Sequence, residues 1–396
     1  MNARFVGGIL LIVGTSIGAG MFALPIVNAA TGFWQSSLLL ILCWLLMTTS
    51  AFYILEVSLC MPRGKHMVSM AQSTLGTTGS VVAWISYLFL LYTLLCAYIS
   101  GGADVLGGLL HYLDIHAPWW LLVALFTLVF GSIVYRGIYQ VDIVNRGLMF
   151  AKLGVFALLV ILVLPYTHTN NLQGGGFRYA ASTFMVLITA FGFAIIVPNL
   201  RDYFDDDIPT LKRVIFIGSL IPLFCYLIWD AVIIGSLPTH GELGLIALTH
   251  SKHSTTSLAS MLSHVVHNAF IVSFFNFFSA VSMLTAFLGV SLCLFSFLSD
   301  GLRLEQRGKS GGLLFLLAFL PPILIVARYP GIYIHALAYA GYFCVVLLML
   351  LPALMSYFGR KRLNPRFKVP GKSVLQFVVV FLALVLLALT FYNDFF

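Results

Sequence analysis

Charge is what this chain has least of. Asp, Glu, Lys and Arg together make up 9% of its 396 residues, against roughly 25% in a soluble domain. That shortage leaves too little polar surface to cover a water-soluble fold of this size. Cysteine is scarce too. The six thiols (Cys43, Cys60, Cys96, Cys225, Cys293 and Cys344) sit in or at the ends of apolar segments with no CxxC spacing, which argues against a disulfide framework or a zinc centre. No His or carboxylate cluster recurs at one depth, as a membrane-embedded enzyme would need. Nor does a short repeat suggest the ring-forming filter of a channel. Neither a metal nor any other cofactor is expected, and the net charge of +8 is explained below without nucleic acid.

What the chain has in excess is hydrophobic residues, 61% of the total. Runs of about 20 such residues cross a bilayer. The sequence predicts eleven spans, over 5–29, 34–60, 81–110, 118–135, 144–165, 181–200, 212–236, 266–298, 312–328, 331–357 and 374–393, in one membrane domain over 1–396 without a soluble appendage. The first apolar run continues to Asn28 with no small-residue cleavage site, so it is expected to be a retained span. Cytoplasmic loops collect Lys and Arg. With the N-terminus inside, only Arg178, Lys252 and Arg328 of the twenty-one basic residues fall on the outer side. The predicted location is therefore multi-pass in the inner membrane, N-terminus cytoplasmic, with lipid as the surrounding partner. Five histidines lie between His240 and His267 on the outer side; a solvated loop is the preferred reading over a pH sensor.

Within the first span stands GTSIGAGMFALP, residues 14–25. Gly costs about 1 kcal/mol and Pro about 3 kcal/mol in a helix interior, so three glycines and a proline predict an interruption. TAFGFAIIVP, residues 189–198, repeats the order Thr, Gly, Pro five spans later with Thr189, Gly192 and Pro198. An odd offset turns the second copy upside down. Paired interruptions of this kind point to inverted-repeat transporters with a midplane binding site. Backbone freed in lipid is tolerated only where it is buried in protein or lines a cavity. The N–H groups of Gly18, Ala19 and Gly20 suit a carboxylate; carbonyls around Gly14, Thr15 and Phe191 suit an ammonium. A zwitterionic amino acid satisfies both sets.

Together with AYISGGADVL (97–106), DIVNRGLMFAKLGVF (142–156), FGF and VP in span six, FLGVSLCLFSFL (287–298) and NPRFKVPGK (364–372), the opening motif resembles the bacterial hydroxy and aromatic amino acid permeases, most nearly their tyrosine-specific members. The resemblance implies the all-α, LeuT-like fold of the amino acid, polyamine and organocation superfamily, with broken helices 1 and 6. Its two five-helix repeats would lie over about 5–165 and 181–357, with an extra helix over 374–393. It also implies uptake driven by protons. Two departures stand out. Ala194, Ile195 and Ile196 replace His, Gly and Ser after FGF, and Ala286 replaces a Ser before FLG.

An ionisable side chain within a span costs about 2.5–3.5 kcal/mol or more, so each of Glu56, Asp104, Lys152 and Asp230 needs a reason. In related superfamily members a fifth-span lysine resembles a built-in substitute for sodium between spans one and eight. Lys152 takes that role by resemblance, with Ser282 and Thr285 as neighbouring oxygens and Glu56 as a further coupling or gate residue. Asp104 and Asp230 are expected to pair structurally near the outside. Phe22, Phe191 and Phe193 flank the interruptions, and Gly192, Tyr98 and Asn276 complete the expected binding set. The predicted activity is proton-coupled import of aromatic amino acids, tyrosine first and tryptophan second. A carrier of small hydroxy or aliphatic amino acids, sodium-coupled or not, is the alternative within the class.

Overall fold

The computed structural model describes residues 3–111, 114–241, 244–306, 308–363 and 365–395. Asn364 of the NPRFKVPGK motif lies outside them, and so do the side chains of residues 142–146. Among the described residues there are helices and no strands, as lipid demands of a backbone that must satisfy its own hydrogen bonds.

The helices are α1 (Ala3–Ser16), α2 (Gly20–Thr31), α3 (Phe33–Ser58), α4 (Met67–His111), α5 (Trp119–Tyr135), α6 (Ile138–Val163), α7 (Ala180–Ala190), α8 (Val197–Tyr203), α9 (Ile208–Ser236), α10 (Ser254–Val266), α11 (Ala269–Leu302), α12 (Gly308–Arg328), α13 (Tyr333–Val345), α14 (Leu351–Arg362) and α15 (Lys372–Phe395). Helices α7 and α8 are joined through a 3₁₀ stretch, Gly192–Ile196, and α13 and α14 through a π turn, Val346–Leu350. Nine runs among the described residues are long and apolar enough to cross a membrane. Counting the bent pair α1–α2 as one span makes ten, and α5, at 17 residues, is a shorter apolar helix.

Two elements depart from expectation. Helix α4 starts fourteen residues before the predicted span, because Met67–Leu75 forms a polar-faced helix set off by Gly76, whose φ of 77° breaks the helical run. Helix α10 was not predicted: its residues Ser254–Val266 are too polar to read as a span, and they pack against α4 and α11.

The interrupted spans lie deepest. On α2 every residue from Met21 to Ala29 is buried, and on α7 so is every residue from Thr183 to Ile188. A helix apolar on all sides and covered on all sides is a core helix. Helix α2 packs on α7 and α9, α1 packs on α9, and α13 covers α7 and α4. By contrast α15 is only 22% buried over its apolar window and faces lipid. Close approach at the centre needs glycine. A Cβ on Gly341 of α13 would stand 2.3 Å from the Met185 carbonyl of α7, far inside contact distance.

Candidate functional site

The first span leaves helical geometry at Ile17, Gly18 and Ala19 and resumes at Gly20, bent by 55°. Gly14 and Thr15 lie in the last turn of α1, so the unwound stretch is shorter than the motif. Gly14 serves packing, since a Cβ there would meet Met149 of α6 at 2.6 Å. Gly18 is different: its nearest obstacle would be the Ala286 methyl of α11 at an ordinary 3.7 Å, and around Gly20 there is nothing within 4 Å.

An account of the backbone groups shows what the break offers. The Ser16 carbonyl accepts from the Tyr226 hydroxyl at 2.6 Å, and the Ile17 carbonyl from Lys152 Nζ at 2.5 Å. The Gly18 carbonyl accepts from the Met21 N–H at 3.2 Å. The Ala19 carbonyl accepts from the Phe22 N–H at 3.1 Å and from the Tyr333 hydroxyl at 2.5 Å. No donor among the described residues reaches the carbonyls of Gly14 and Thr15, and no acceptor reaches the N–H groups of Gly18, Ala19 and Gly20. Thr15 Oγ1 is turned back to the Leu11 and Ile12 carbonyls. Open acceptors thus lie just before the break and open donors within it.

The second interruption is milder. Span six turns at Phe191 and tightens into 3₁₀ geometry over Gly192–Ile196 before α8, and it still counts as one continuous span, Phe177–Tyr203. Pro198 falls in the first turn of α8, where its missing N–H is not needed. The Phe191 N–H bonds to Ile188 at 3.2 Å, and the Ala190 carbonyl accepts from Tyr226 at 2.9 Å. A single phenol on α9 therefore touches both interrupted spans.

Phe22, Phe191 and Phe193 are fully buried. The Phe22 ring packs edge-on against Trp229 at 6.1 Å and Phe275 at 5.7 Å, and lies 5.1 Å from Phe278. Phe156 joins the same cluster through Trp229 and Phe278. Phe191 meets the Tyr226 ring at 5.2 Å. Tyr98 is half-buried on α4, while the Tyr226 and Tyr333 hydroxyls bond to the break itself, at the Ser16 and Ala19 carbonyls. Asn276 is half-buried on α11, between the two cluster phenylalanines and without a hydrogen-bond partner among the described residues.

Lys152 is 2% exposed. Its ammonium donates to Ile17 in the break and to Thr285 Oγ1 of α11 at 3.4 Å. Thr285 Oγ1 donates in turn to the Ser282 carbonyl at 3.2 Å, while the Ser282 hydroxyl is buried without a partner. Glu56 lies elsewhere. It takes a bidentate Arg360 at 2.6 and 2.7 Å, the Ser356 hydroxyl at 3.0 Å and the Val369 N–H at 2.7 Å; these partners anchor α3 to α14 and to the segment before α15.

Polar clusters close the bundle at both ends. On the side holding the N-terminus, Asp205 pairs with Arg4 at 3.2 Å and Arg63 at 3.1 Å, and Asp206 pairs with Arg201 at 2.6 Å. The hydrogen bond from Arg201 holds the Asp206 carboxyl below the usual carboxylate range, and Arg201 also donates to the Ser58 carbonyl. At the other end Asp104, 4% exposed, accepts from the N–H groups of Thr255 and Thr256 at 3.0 and 3.1 Å and from the Thr256 hydroxyl at 2.9 Å. It also meets His253 Nδ1 at 2.9 Å. Asp104 is thus the anion at the start of α10.

Sequence reasoning missed Tyr226, Trp229 and Tyr333. Tyr226, Trp229 and Asp230 stand at i, i+3 and i+4 on α9, one helix face, and that spacing was the available signal.

The chain matches the tryptophan/tyrosine permease family over residues 1–390. It is 32% identical to "Tyrosine-specific transport system 1" of Haemophilus influenzae, an alignment covering 98% of this chain and 96% of that protein. It is 31% identical to the "Tryptophan-specific transport protein" of Pseudomonas aeruginosa, over 92% and 89% of the two chains. A more distant relative, at 26% identity over 91% of each chain, is "Glutamine transporter 2" of Aliivibrio fischeri. With matches of this extent, the chain belongs to the tryptophan/tyrosine permease family and is a multi-pass membrane permease, not an enzyme.

Proposed function

We propose that this permease imports aromatic amino acids, tyrosine first and tryptophan second, by proton symport with alternating access. The observation that carries the reading is the pair of open backbone sets at the first break: acceptors at Gly14 and Thr15, donors at Gly18, Ala19 and Gly20. An α-amino acid brings one ammonium and one carboxylate, and charge-assisted hydrogen bonds to such groups are the strong ones. Its side chain then meets an aromatic surface. Burying a tyrosine ring of at least about 150 Å² contributes roughly 4 kcal/mol, which an alanine-sized substrate lacks. Relatives named for tyrosine and tryptophan agree with that preference.

The five-plus-five inverted repeat, over about 5–165 and 181–357 with 374–393 outside it, and the eleven-span count with α5 included, belong to the same proposal. Their support is that interruptions five spans apart converge on Tyr226. The side that collects arginine and lysine is taken as cytoplasmic in the inner membrane. Lys152 is the exchanging group: charged, it ties the break to α11 through Ile17 and Thr285; neutral, it lets go. Ser282 and Thr285 support it, and Glu56 anchors the inner end.

The test is tyrosine uptake into proteoliposomes with an imposed proton or sodium gradient. Wild type should accumulate tyrosine with protons alone. Lys152→Met and Lys152→Arg, one fixed neutral and the other fixed charged, should lose accumulation yet retain exchange. Strict sodium dependence, or full accumulation by Lys152→Met, contradicts the proposal.

A further inference from the structure

Asp230 on α9 is 0% exposed, and so is Asn28 on α2. Their contact is short: Asn28 Nδ2 donates to Asp230 Oδ2 at 2.5 Å. The other oxygen of each group, Asn28 Oδ1 and Asp230 Oδ1, is buried with no partner. Asp230 has no cation within ion-pair distance among the described residues. A carboxylate with one hydrogen bond and no counter-charge is an expensive thing to bury.

Among the described side chains, the elements packed on α9 supply no hidden partner. Helix α2 and the segment Thr169–Leu172 carry no ionisable side chain, and Leu164–Tyr166 carries only Tyr166. The Lys152 ammonium of α6 is engaged at Ile17 and Thr285. Glu56 of α3 is engaged by Arg360, which leaves that helix Cys43 and Tyr53. Arg4 of α1 and Arg201 of α8 are in the cluster at the N-terminal side, with Asp202 bonded to the Gly64 N–H.

What the pair lacks is one donor, and a proton is one. A neutral carboxyl and a primary amide join in a ring of two hydrogen bonds, O–H to the amide oxygen and N–H to the acid carbonyl. The bond from Asn28 Nδ2 to Oδ2 is half of that ring, and the two orphan oxygens are the atoms the other half would join. We propose that Asp230 and Asn28 form a proton-binding site in the outer half of the bundle, separate from Lys152 and loaded from the outer medium.

The balance is simple. One proton from water outside binds Asp230 Oδ1, the carboxylate becomes neutral, and the new O–H donates to Asn28 Oδ1; no other bond is made or broken. Protonated, the pair clamps α2 to α9. Deprotonated, the two oxygens repel and the outer half of span one separates from α9. Because Tyr226, one turn further in on α9, holds the break itself, proton loading outside and closure over the substrate act through one helix. This rests on the proton-symport reading, with a test that separates the two.

Dicyclohexylcarbodiimide, an apolar reagent that adds to protonated carboxyls within membranes, should label Asp230 in the reconstituted wild-type protein, increasingly as the pH falls. Glu56, held by Arg360, should stay unlabelled. Absence of label at Asp230 at acid pH overturns the site. Asp230→Asn keeps an amide–amide ring of the same shape, so it should fold, bind tyrosine with an affinity that no longer varies with pH, exchange it, and lose gradient-driven accumulation. Wild-type accumulation by Asp230→Asn, with the wild type proton-driven, defeats this inference alone. Sodium-driven wild-type uptake defeats the symport reading, while the labelling result still decides whether Asp230 binds a proton.

Discussion

The interruption in span one bends its helix by 55° and leaves N–H groups open, whereas the one in span six stays within a single continuous span and tightens into 3₁₀ turns. Both carry glycine and proline. The difference lies in which residues stand at the turn. In span six Pro198 starts a new helix, a position that suits it, so the chain stays wound; in span one, Gly18 and Gly20 stand at the break itself, and nothing crowds Gly20. Two similar motifs thus give unequal geometry, and the proposed function assigns polar recognition to the first and apolar surface from Phe191 and Phe193 to the second.

If that asymmetry holds, the largest effect comes from filling the first break. Gly18→Leu should abolish tyrosine binding, a loss of about 100-fold or more, since it blocks bare N–H groups worth roughly 1.5–3 kcal/mol each to a carboxylate. Gly192→Leu should cost only about tenfold, because the chain there keeps 3₁₀ geometry and a Cβ on Gly192 meets nothing within 4 Å. Equal losses, measured by calorimetric titration of folded protein, would make the two breaks equivalent.

Tyr226→Phe probes the link between them. Removing the hydroxyl takes away the one proton that the Ser16 and Ala190 carbonyls share, at about 1–3 kcal/mol for the lost hydrogen bond. The melting temperature should fall by a few degrees while tyrosine affinity stays within about threefold. A large affinity loss without destabilisation would instead place the phenol against the substrate.

Phe193→Ala should weaken tyrosine binding by about 3–10-fold, the worth of one aromatic contact, and leave binding of an alanine-sized substrate unchanged. Equal loss for both would put the ring outside the pocket.

The smallest effect concerns α10 and its contact with Asp104. The hydrogen bond to Asp104 raises the His253 pKa above its ordinary 6.5. A raised folded-state value means that the contact stabilises the start of α10 fully below about pH 6.5 and is lost as the pH rises through the higher value. His253 is 56% exposed, so solvent screening keeps the gain modest. Protection of the α10 amides from hydrogen exchange, taken relative to the base-catalysed intrinsic rate at each pH, should be greater at acid than at alkaline pH, and His253→Gln should flatten that dependence.

Much of this was legible in the residues. Gly18 and Gly20 marked the first break because helices in lipid rarely tolerate so much glycine without cause, whereas Gly14, read as part of the same break, lies in α1 and serves packing. What could not be read was partnership across the chain. Asn28 and Asp230 are 202 residues apart, and Tyr226 and Ser16 are 210; no local pattern encodes such a pair. In the run DYFDDD, residues 202–207, Asp205 meets Arg4 and Arg63 from distant segments, and no local pattern shows those pairs either. Helix α10 escaped because its polarity hid it from a search for spans.

Everything central turns on whether the first break reads both ends of an amino acid. Competition against labelled tyrosine on the purified protein tests this with two analogues: tyramine, which lacks the carboxylate, and N-acetyltyrosine, which lacks the ammonium. Each should bind weaker than tyrosine by about 100-fold or more, the worth of a lost charge-assisted set of hydrogen bonds. Tyramine binding as tightly as tyrosine would contradict the assignment of Gly18, Ala19 and Gly20 as the carboxylate site.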